Sequence, residues 1–520
     1  MKVLAVAFCV LAVRLAEAAK ILGVFSIPSI SHQLVYRSLM KELHSRGHHI
    51  TVLTPDPIRD SSLQNYTEIE IDLSAAYTMW KNRLSSLTEN RDKGLNYIYT
   101  TANLIQLGLD VCEVELNLPE VKNFLYQDNK FDLVMIEWIL SPCFAVIGYK
   151  VGAPVIGISS IPPTIVIHDT VGNPAHPAYS PDILLSYTDR PNFIQRIHAT
   201  VHYVALQFVY RFWILPSHDA LVRKHFKDNS MPYIEDVVKN VSLVLVSSHF
   251  SFHYPRPIVP AMVDIGGLHL HKPKPLPKNL KNFLDGAPEG VIYFSLGTNV
   301  RSDGMSVEKR QIFLDAFSEL QNFRILWKWE GDELPGKLCN VKVAKWLPQQ
   351  DILSHPKIKV FIYQGGMQST EEAIQAQVPL IGIPFFADQD VNVRKVVEAG
   401  AGIYVDFQDI TKDVILNTIH KIIHDPSYKA SMKKLSEIAS DQPENPLDRA
   451  VWWTEYVIRH KGARHLRSAA LDLTWYQYLL LDVIAFFAVI PMFATWLISC
   501  ITRFIVYVIK SRMSPRPKRD

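Results

Sequence analysis

Lys357-Ile-Lys-Val-Phe-Ile-Tyr-Gln-Gly-Gly-Met-Gln-Ser-Thr-Glu-Glu-Ala-Ile-Gln-Ala-Gln-Val-Pro-Leu-Ile-Gly-Ile383 is the stretch that decides the fold. Lys357 to Tyr363 reads as a buried strand, Gln368 to Gln377 carries a helical period, and Pro379 to Ile383 is a second buried strand. Strand, helix and strand in such close succession make a parallel crossover unit. At the first junction two glycines, Gly365 and Gly366, let the backbone approach a ligand closely. The helix that follows points free N–H groups and the positive end of its dipole at whatever lies there, which suits an anion. An ordinary strand-to-helix turn, with Ser369 and Glu372 forming a capping box, accounts for the same residues without a ligand.

The alternation extends in both directions. Gln389 to Ala399 is a further helix; upstream, Val291 to Leu296 and Arg324 to Trp329 are strands around the helix Val307 to Leu320. Near the N-terminus, Lys20 to Ser26 is a buried strand. Gln33 to Arg46 is a helix that Gly47 ends, and His49 to Thr54 is a second strand. Phe131 to Ile136 and Pro154 to Ile158 are strands flanking a helix near Cys143 to Lys150. Between the two periodic regions, Ser251 to Pro288 is crowded with prolines and reads as a linker. The expectation is an α/β protein of two doubly wound, Rossmann-like domains facing across a cleft, with ligands at the carboxyl ends of the strands. Neither domain carries G-x-G-x-x-G or G-x-x-x-x-G-K-[ST], so nicotinamide binding and NTP hydrolysis lose their main support.

The ends read differently. Lys2, the apolar run Val3 to Val13 and Ala16-Glu17-Ala18 form a secretory signal with an A-x-A site. Val483 to Thr502 carries no charge and is long enough to cross a bilayer, with Pro491 tolerable inside it. Arg503, Lys510, Arg512, Arg516, Lys518 and Arg519 follow, a positive excess that belongs on the cytosolic side. This predicts a single-pass type I protein of the endoplasmic reticulum membrane with its catalytic domains luminal. The sequons Asn65-Tyr-Thr67 and Asn240-Val-Ser242 agree and offer N-glycan sites. Cys112, Cys143 and Cys339, the cysteines outside signal and span, allow at most one intramolecular bridge and no zinc spacing. A net charge of +3 over 520 residues leaves no footprint for nucleic acid. Oligomeric state, a homo-oligomer included, stays open. Ile197 to Leu215 is apolar but interrupted by His198, His202, Gln207 and Arg211: a buried helix pair, a cover for a pocket, or a segment at the membrane surface.

Phe294-Ser-Leu-Gly-Thr-Asn299, Trp346-Leu-Pro-Gln-Gln-Asp351, Gln364-Gly-Gly and Pro384-Phe-Phe-Ala-Asp-Gln389 resemble, in order and spacing, the signature of the UDP-glycosyltransferase family, most closely its insect branch. The resemblance covers nearly the whole chain. It implies a GT-B arrangement: signal peptide 1–18, acceptor domain 19–250, linker 251–288 and UDP-sugar domain 289–445. Helices packing back towards the first domain (446–478), a membrane segment (479–509) and a basic tail (510–520) complete it.

On the donor side the resemblance makes Trp346 the ring that stacks on uracil, Gln349 a nucleoside contact and Glu372 the carboxylate that accepts from both ribose hydroxyls. Thr298, Gln364, Gly366, Gln368 and Ser369 fall at phosphate and sugar contacts, and Asp388 with Gln389 reads the sugar hydroxyls. The family usually has His where this chain has Gln364, which can donate an N–H but brings no positive charge. On the acceptor side His32 matches the general base, and Glu137 stands where the family's orienting residue is Asp. Asp132 competes for that role, but strand alternation puts it on the other face. The resemblance implies inverting, metal-independent hexosyl transfer from a UDP-sugar to a small lipophilic acceptor in detoxifying conjugation, with no cofactor beyond the donor. Val246-Ser-Ser-His249 lacks the Arg of glucuronate users, which points to UDP-glucose. The alternative is a non-catalytic carrier of UDP-sugars or lipophiles on the same fold.

Overall fold

The computed structural model describes residues 18–75, 78–79, 82, 96–127, 129–228 and 230–513. The signal segment up to residue 17 and the tail from 514 lie outside the described residues. The chain divides after Arg467 into two compact units.

The first unit holds two parallel sheets. One has the order β3-β2-β1-β4-β5-β6-β7, from β1 (Lys20–Val24), β2 (His49–Thr54), β3 (Tyr66–Glu70), β4 (Leu133–Glu137), β5 (Val155–Ser159), β6 (Leu243–Val246) and β7 (Met262–Asp264). The other has the order β10-β9-β8-β11-β12-β13, from β8 (Gly290–Ser295), β9 (Phe323–Lys328), β10 (Val341–Ala344), β11 (Ile358–Tyr363), β12 (Leu380–Gly382) and β13 (Gly402–Tyr404). β4, β5 and β8 are buried along their whole length, as parallel strands covered on both faces must be. The helices that matter below are α1 (Ile30–Ser45), α2 (Asn96–Asn117), α3 (Phe193–Val209), α4 (Met367–Gln375), α5 (Gln389–Glu398) and α6 (Pro446–Arg459).

In each sheet the chain runs outward to one edge and then returns, so β1 and β4, and likewise β8 and β11, are neighbours across a reversal of strand order. The loops after those strands diverge there and leave a crevice. Pairing of Val24 with Ile136 sets the first turn of α1, which carries His32, beside Glu137. Pairing of Ser295 with Tyr363 sets Thr298 beside Gln364.

Two boundaries move from the sequence expectation. The 251–288 segment is not free linker: β7 inside it is the edge strand of the first sheet, and the helix Lys278–Asp285 buries Leu280 and Leu284 in the second domain. Proline density hid both, since Pro255, Pro257 and Pro260 lie just ahead of β7 and leave its own three residues free to pair. In the 446–478 segment, α6 packs back on the first domain, with Ala450, Val451 and Val457 in its core and Arg46 paired to Asp448. Residues from Ser468 belong to the second unit.

Cys112 on α2 and Cys143 form a disulfide closing a separation of 31 residues, and Cys339 is exposed and free. Asn65 and Asn240 are both exposed. α3 runs on through a π-helical turn (Tyr210–Ile214). Its inner side buries His202, Leu206, Tyr210 and Ile214, while Ile194, Ile197, Val201, Val204, Phe208 and Phe212 are exposed on the outer side.

The second unit is dominated by one helix, α7 (Leu481–Met513), with Pro491 inside it and apolar side chains exposed all round. Its 33 residues extend about 50 Å, more than the hydrocarbon core of a bilayer.

Candidate active site

The crevice is a cavity of about 350 Å³. It is lined by His32 from the first domain and by Thr298, Trp346, Gln349, Gln364 and Gly366 from the second. Gln368, Ser369, Glu372, Asp388 and Gln389 complete the donor side. Every site residue singled out in the sequence therefore faces this one space except Glu137, which lies behind His32.

Glu137 ends β4 and is buried. Its Oε1 lies 2.9 Å from His32 Nδ1 and accepts from the Tyr36 hydroxyl at 2.8 Å, while Oε2 accepts from the Ile27 N–H at 2.9 Å. The extra methylene of Glu thus reaches the imidazole directly. With Nδ1–H assigned to this bond, Nε2 is left as the basic nitrogen. Burial first, and then Glu137, hold the Tyr36 phenol well above its ordinary pKa, so it stays a donor. Tyr36 lies one turn after His32 on α1, a spacing that would have revealed it. Behind this group, burial pushes Glu115 up to about 8, opposed by Ser26 and reinforced by Glu137. Burial thus favours the protonated form of the Glu115 carboxyl. Asp132 faces away, accepting from the Lys20 N–H at 2.8 Å.

On the donor side α4 begins at Met367 with Gly366 as its N-cap, and no side chain caps it. The capping-box expectation is thereby overturned. Ser369 Oγ instead accepts from Gln349 Nε2 at 2.8 Å, and the same amide donates to Glu372 Oε2 at 2.7 Å. Tyr293 OH donates to Gln349 Oε1 at 3.1 Å and fixes the amide's orientation. Gly365 has φ +91°, and a Cβ there would meet Gln389 O at 2.6 Å, so only glycine fits. Thr298 Oγ1 and Gln364 Oε1 are buried without a hydrogen-bond partner among the described residues. Uncapped N–H groups and the Thr298 hydroxyl, which can donate, at the mouth of a helix dipole suit a diphosphate.

Asp388 is held by the Asn392 amide at 2.7 Å, and Gln389 Oε1 accepts from the Phe385 and Phe386 N–H groups. Burial raises the Asp388 pKa, with Asn392 and the facing His32 opposing it. Beside the cavity, hydrogen bonds cross the cleft: Gln368 Nε2 donates to Ser160 O at 2.6 Å, and Ser29 Oγ donates to Asn299 Oδ1 at 3.0 Å. Gln368 accordingly serves the domain interface here. Trp346 is 56% exposed at the rim, where a ring face is open for stacking.

Lys328, at the end of β9 and paired with Glu330, lines the same cavity. It is the one Lys or Arg that does so among the described residues, and Trp327 and Trp329 made it look like plain core strand. The first-domain wall is mostly apolar, broken by Thr101, Thr164 and Asp182. Leu104 and Ile105 come from α2, Ile139 and Leu140 follow β4, and Leu206 and Tyr210 come from the α3 segment, which thus covers the pocket. The disulfide joins the first two of these walls.

Comparison with known proteins bears on this site. The family described as UDP-glucoronosyl and UDP-glucosyl transferase matches residues 20–514. "UDP-glucosyltransferase 2" of Dactylopius coccus is 40% identical over 480 residues, covering 91% of this chain and 90% of that one. "UDP-glucuronosyltransferase 2B15" of Rattus norvegicus is 33% identical over 499 residues, covering 92% and 90%. Among solved structures, the glycosyltransferase VinC in complex with dTDP superposes with a TM-score of 0.57 at 17% identity, over 85% of this chain and 100% of that one. The last likeness carries the GT-B fold alone.

Proposed function

We propose, given that this chain belongs to the UDP-glucuronosyl and UDP-glucosyl transferase family, that it transfers glucose from UDP-glucose to a hydroxyl of a small lipophilic acceptor, with inversion. The observation that carries this reading is the His32–Glu137 pair, 2.9 Å apart, facing an uncapped helix N-terminus across one cavity. His32 Nε2 takes the acceptor's hydroxyl proton, and Glu137 stabilises the imidazolium that results. The acceptor oxygen forms its bond to the anomeric carbon from the face opposite UDP. The bond from that carbon to the diphosphate oxygen breaks, and its electron pair leaves with UDP. The α4 N-terminus, Thr298 and Gln364 meet the charge that develops there, so the step is metal-independent in this reading.

The apolar wall supports a lipophilic acceptor, hence conjugation of xenobiotics or endogenous lipophiles. Among the described residues no Arg lines the cavity and its one Lys, Lys328, is paired with Glu330, which supports a neutral sugar over glucuronate. The disulfide, the exposed sequon asparagines and α7 support a lumen-facing enzyme anchored in the endoplasmic reticulum membrane. The test is UDP release by full-length protein in detergent with UDP-glucose and a panel of phenols, wild type against His32→Ala, with the product anomer read by NMR. A β-glucoside from the wild type and little product from the variant is expected. Two equally inactive proteins that still bind UDP-glucose would establish the carrier reading instead.

A further inference from the structure

His269 comes from the segment after β7, far from the signature motifs, yet it is buried against the donor site with its side chain 1% exposed. Its Nε2 lies 3.4 Å from Glu372 Oε1, and its Nδ1 lies 3.6 Å from Glu371 Oε2. These carboxylates are consecutive on α4 and both buried. The segment carrying His269 is itself pinned. Gly267 N–H donates to Glu371 Oε1 at 2.9 Å, Gln350 Nε2 donates to His269 O at 3.3 Å, and His271 N–H donates to Gln350 Oε1 at 3.0 Å.

We propose that His269 is a positioning residue for recognition of the donor's ribose, holding the Glu372 carboxylate in the orientation that accepts from both ribose hydroxyls. This rests on the reading of the cavity as a UDP-sugar site. Glu372 Oε2 is already fixed by Gln349 at 2.7 Å, and His269 Nε2 faces the other oxygen at 3.4 Å. A vicinal diol needs two acceptor oxygens in one plane, which a carboxylate supplies only while unprotonated. Two adjacent buried carboxylates repel, and without a cation between them one takes a proton. Burial alone would lower the His269 pKa, but Glu372 and Glu371 outweigh it and raise it. Burial pushes Glu371 up to about 7, with His269 and Gly267 N–H opposing. Glu371 and the imidazole both shift towards their protonated forms, as a carboxyl and a histidine facing each other in a buried site do. His269 touches no reacting atom and acts through Glu372.

The experiment is calorimetric titration of full-length protein with UDP and with 2′,3′-dideoxy-UDP, for wild type, His269→Ala and His269→Gln. In His269→Ala, UDP should bind about tenfold more weakly, because Glu372 loses the buried imidazole contact that orients one of its two oxygens. Dideoxy-UDP should bind wild type and variant alike within about twofold, because it presents no diol to Glu372. His269→Gln, which restores a donor, should recover part of the loss, and kcat at saturating donor should be unchanged in both. Equal weakening of the two nucleotides, or an unchanged UDP affinity, overturns the proposal. If His269→Ala does not fold, the same comparison in His269→Gln decides. A wild type that binds neither nucleotide overturns the donor-site reading itself, a separate failure.

Discussion

Replacing Glu137 with Gln should nearly abolish turnover while leaving donor binding intact. The substitution preserves shape but removes the charge, and places an NH2 group where three donors converge: Ile27 N–H on Oε2, Tyr36 OH and His32 Nδ1 on Oε1. Whichever way the amide turns, a donor meets a donor. If its NH2 faces His32, the imidazole presents unprotonated Nδ1 to it and carries its proton on Nε2, which disables the base. The larger loss is electrostatic. When His32 gains the acceptor's proton, charges about 4 Å apart in a partly buried site attract by about 4 kcal/mol at an effective dielectric of about 20. That corresponds to roughly a thousandfold in rate. Glu137→Asp keeps the charge but withdraws it by one methylene, and should lose about 100-fold or less. Glu137 does not line the cavity, so the UDP dissociation constant should stay within about threefold of wild type. The assay is kcat from UDP release at saturating donor and acceptor, beside calorimetric UDP titration. A Glu137→Gln enzyme with kcat within tenfold of wild type would refute the claim that this carboxylate balances the base.

Gly297→Ala tests the phosphate cradle: φ is +80°, and the new Cβ would lie 2.5 Å from Gln364 Nε2. Strain and displacement of Gln364 should raise donor KM about tenfold or more with acceptor KM little changed, and an unaltered donor KM would remove Gln364 from the site. Glu115→Gln tests the neutral carboxyl. Its folded pKa is raised from 4.5 to about 8, so its contribution to stability is full below pH 4.5 and is lost as pH rises through 8. The variant does not titrate, and its melting temperature relative to wild type should climb between pH 5 and pH 8; equal differences at both pH values would contradict the assignment.

Much of this was legible because buried parallel strands are continuous apolar runs. β2 matches its expected bounds, and β1, β4, β5, β8, β9 and β11 differ from theirs by a residue or two. β3 was not legible, since its burial alternates irregularly at an edge where polar side chains reach solvent. β10 and β13 are as short as turns. Single positions in the motifs were readable, whereas what holds them was not. Gln368 bonds Ser160 from 208 residues away, and His269 approaches Glu372 only through the path of the chain after β7. No local period encodes either meeting. The Cys112–Cys143 pairing was likewise undetermined among three cysteines until α2 was placed.

The hydrogen bonds that cross the cleft beside the cavity use atoms with double employment. Gln368 sits at the mouth of the phosphate helix, and Ser29 and Asn299 adjoin His32 and Thr298, yet they join the domains to each other. A nucleotide leaving the helix mouth and a parting of the domains would therefore disturb the same bonds at this end of the interface, which ties the occupancy of the donor site to the closure of the cleft.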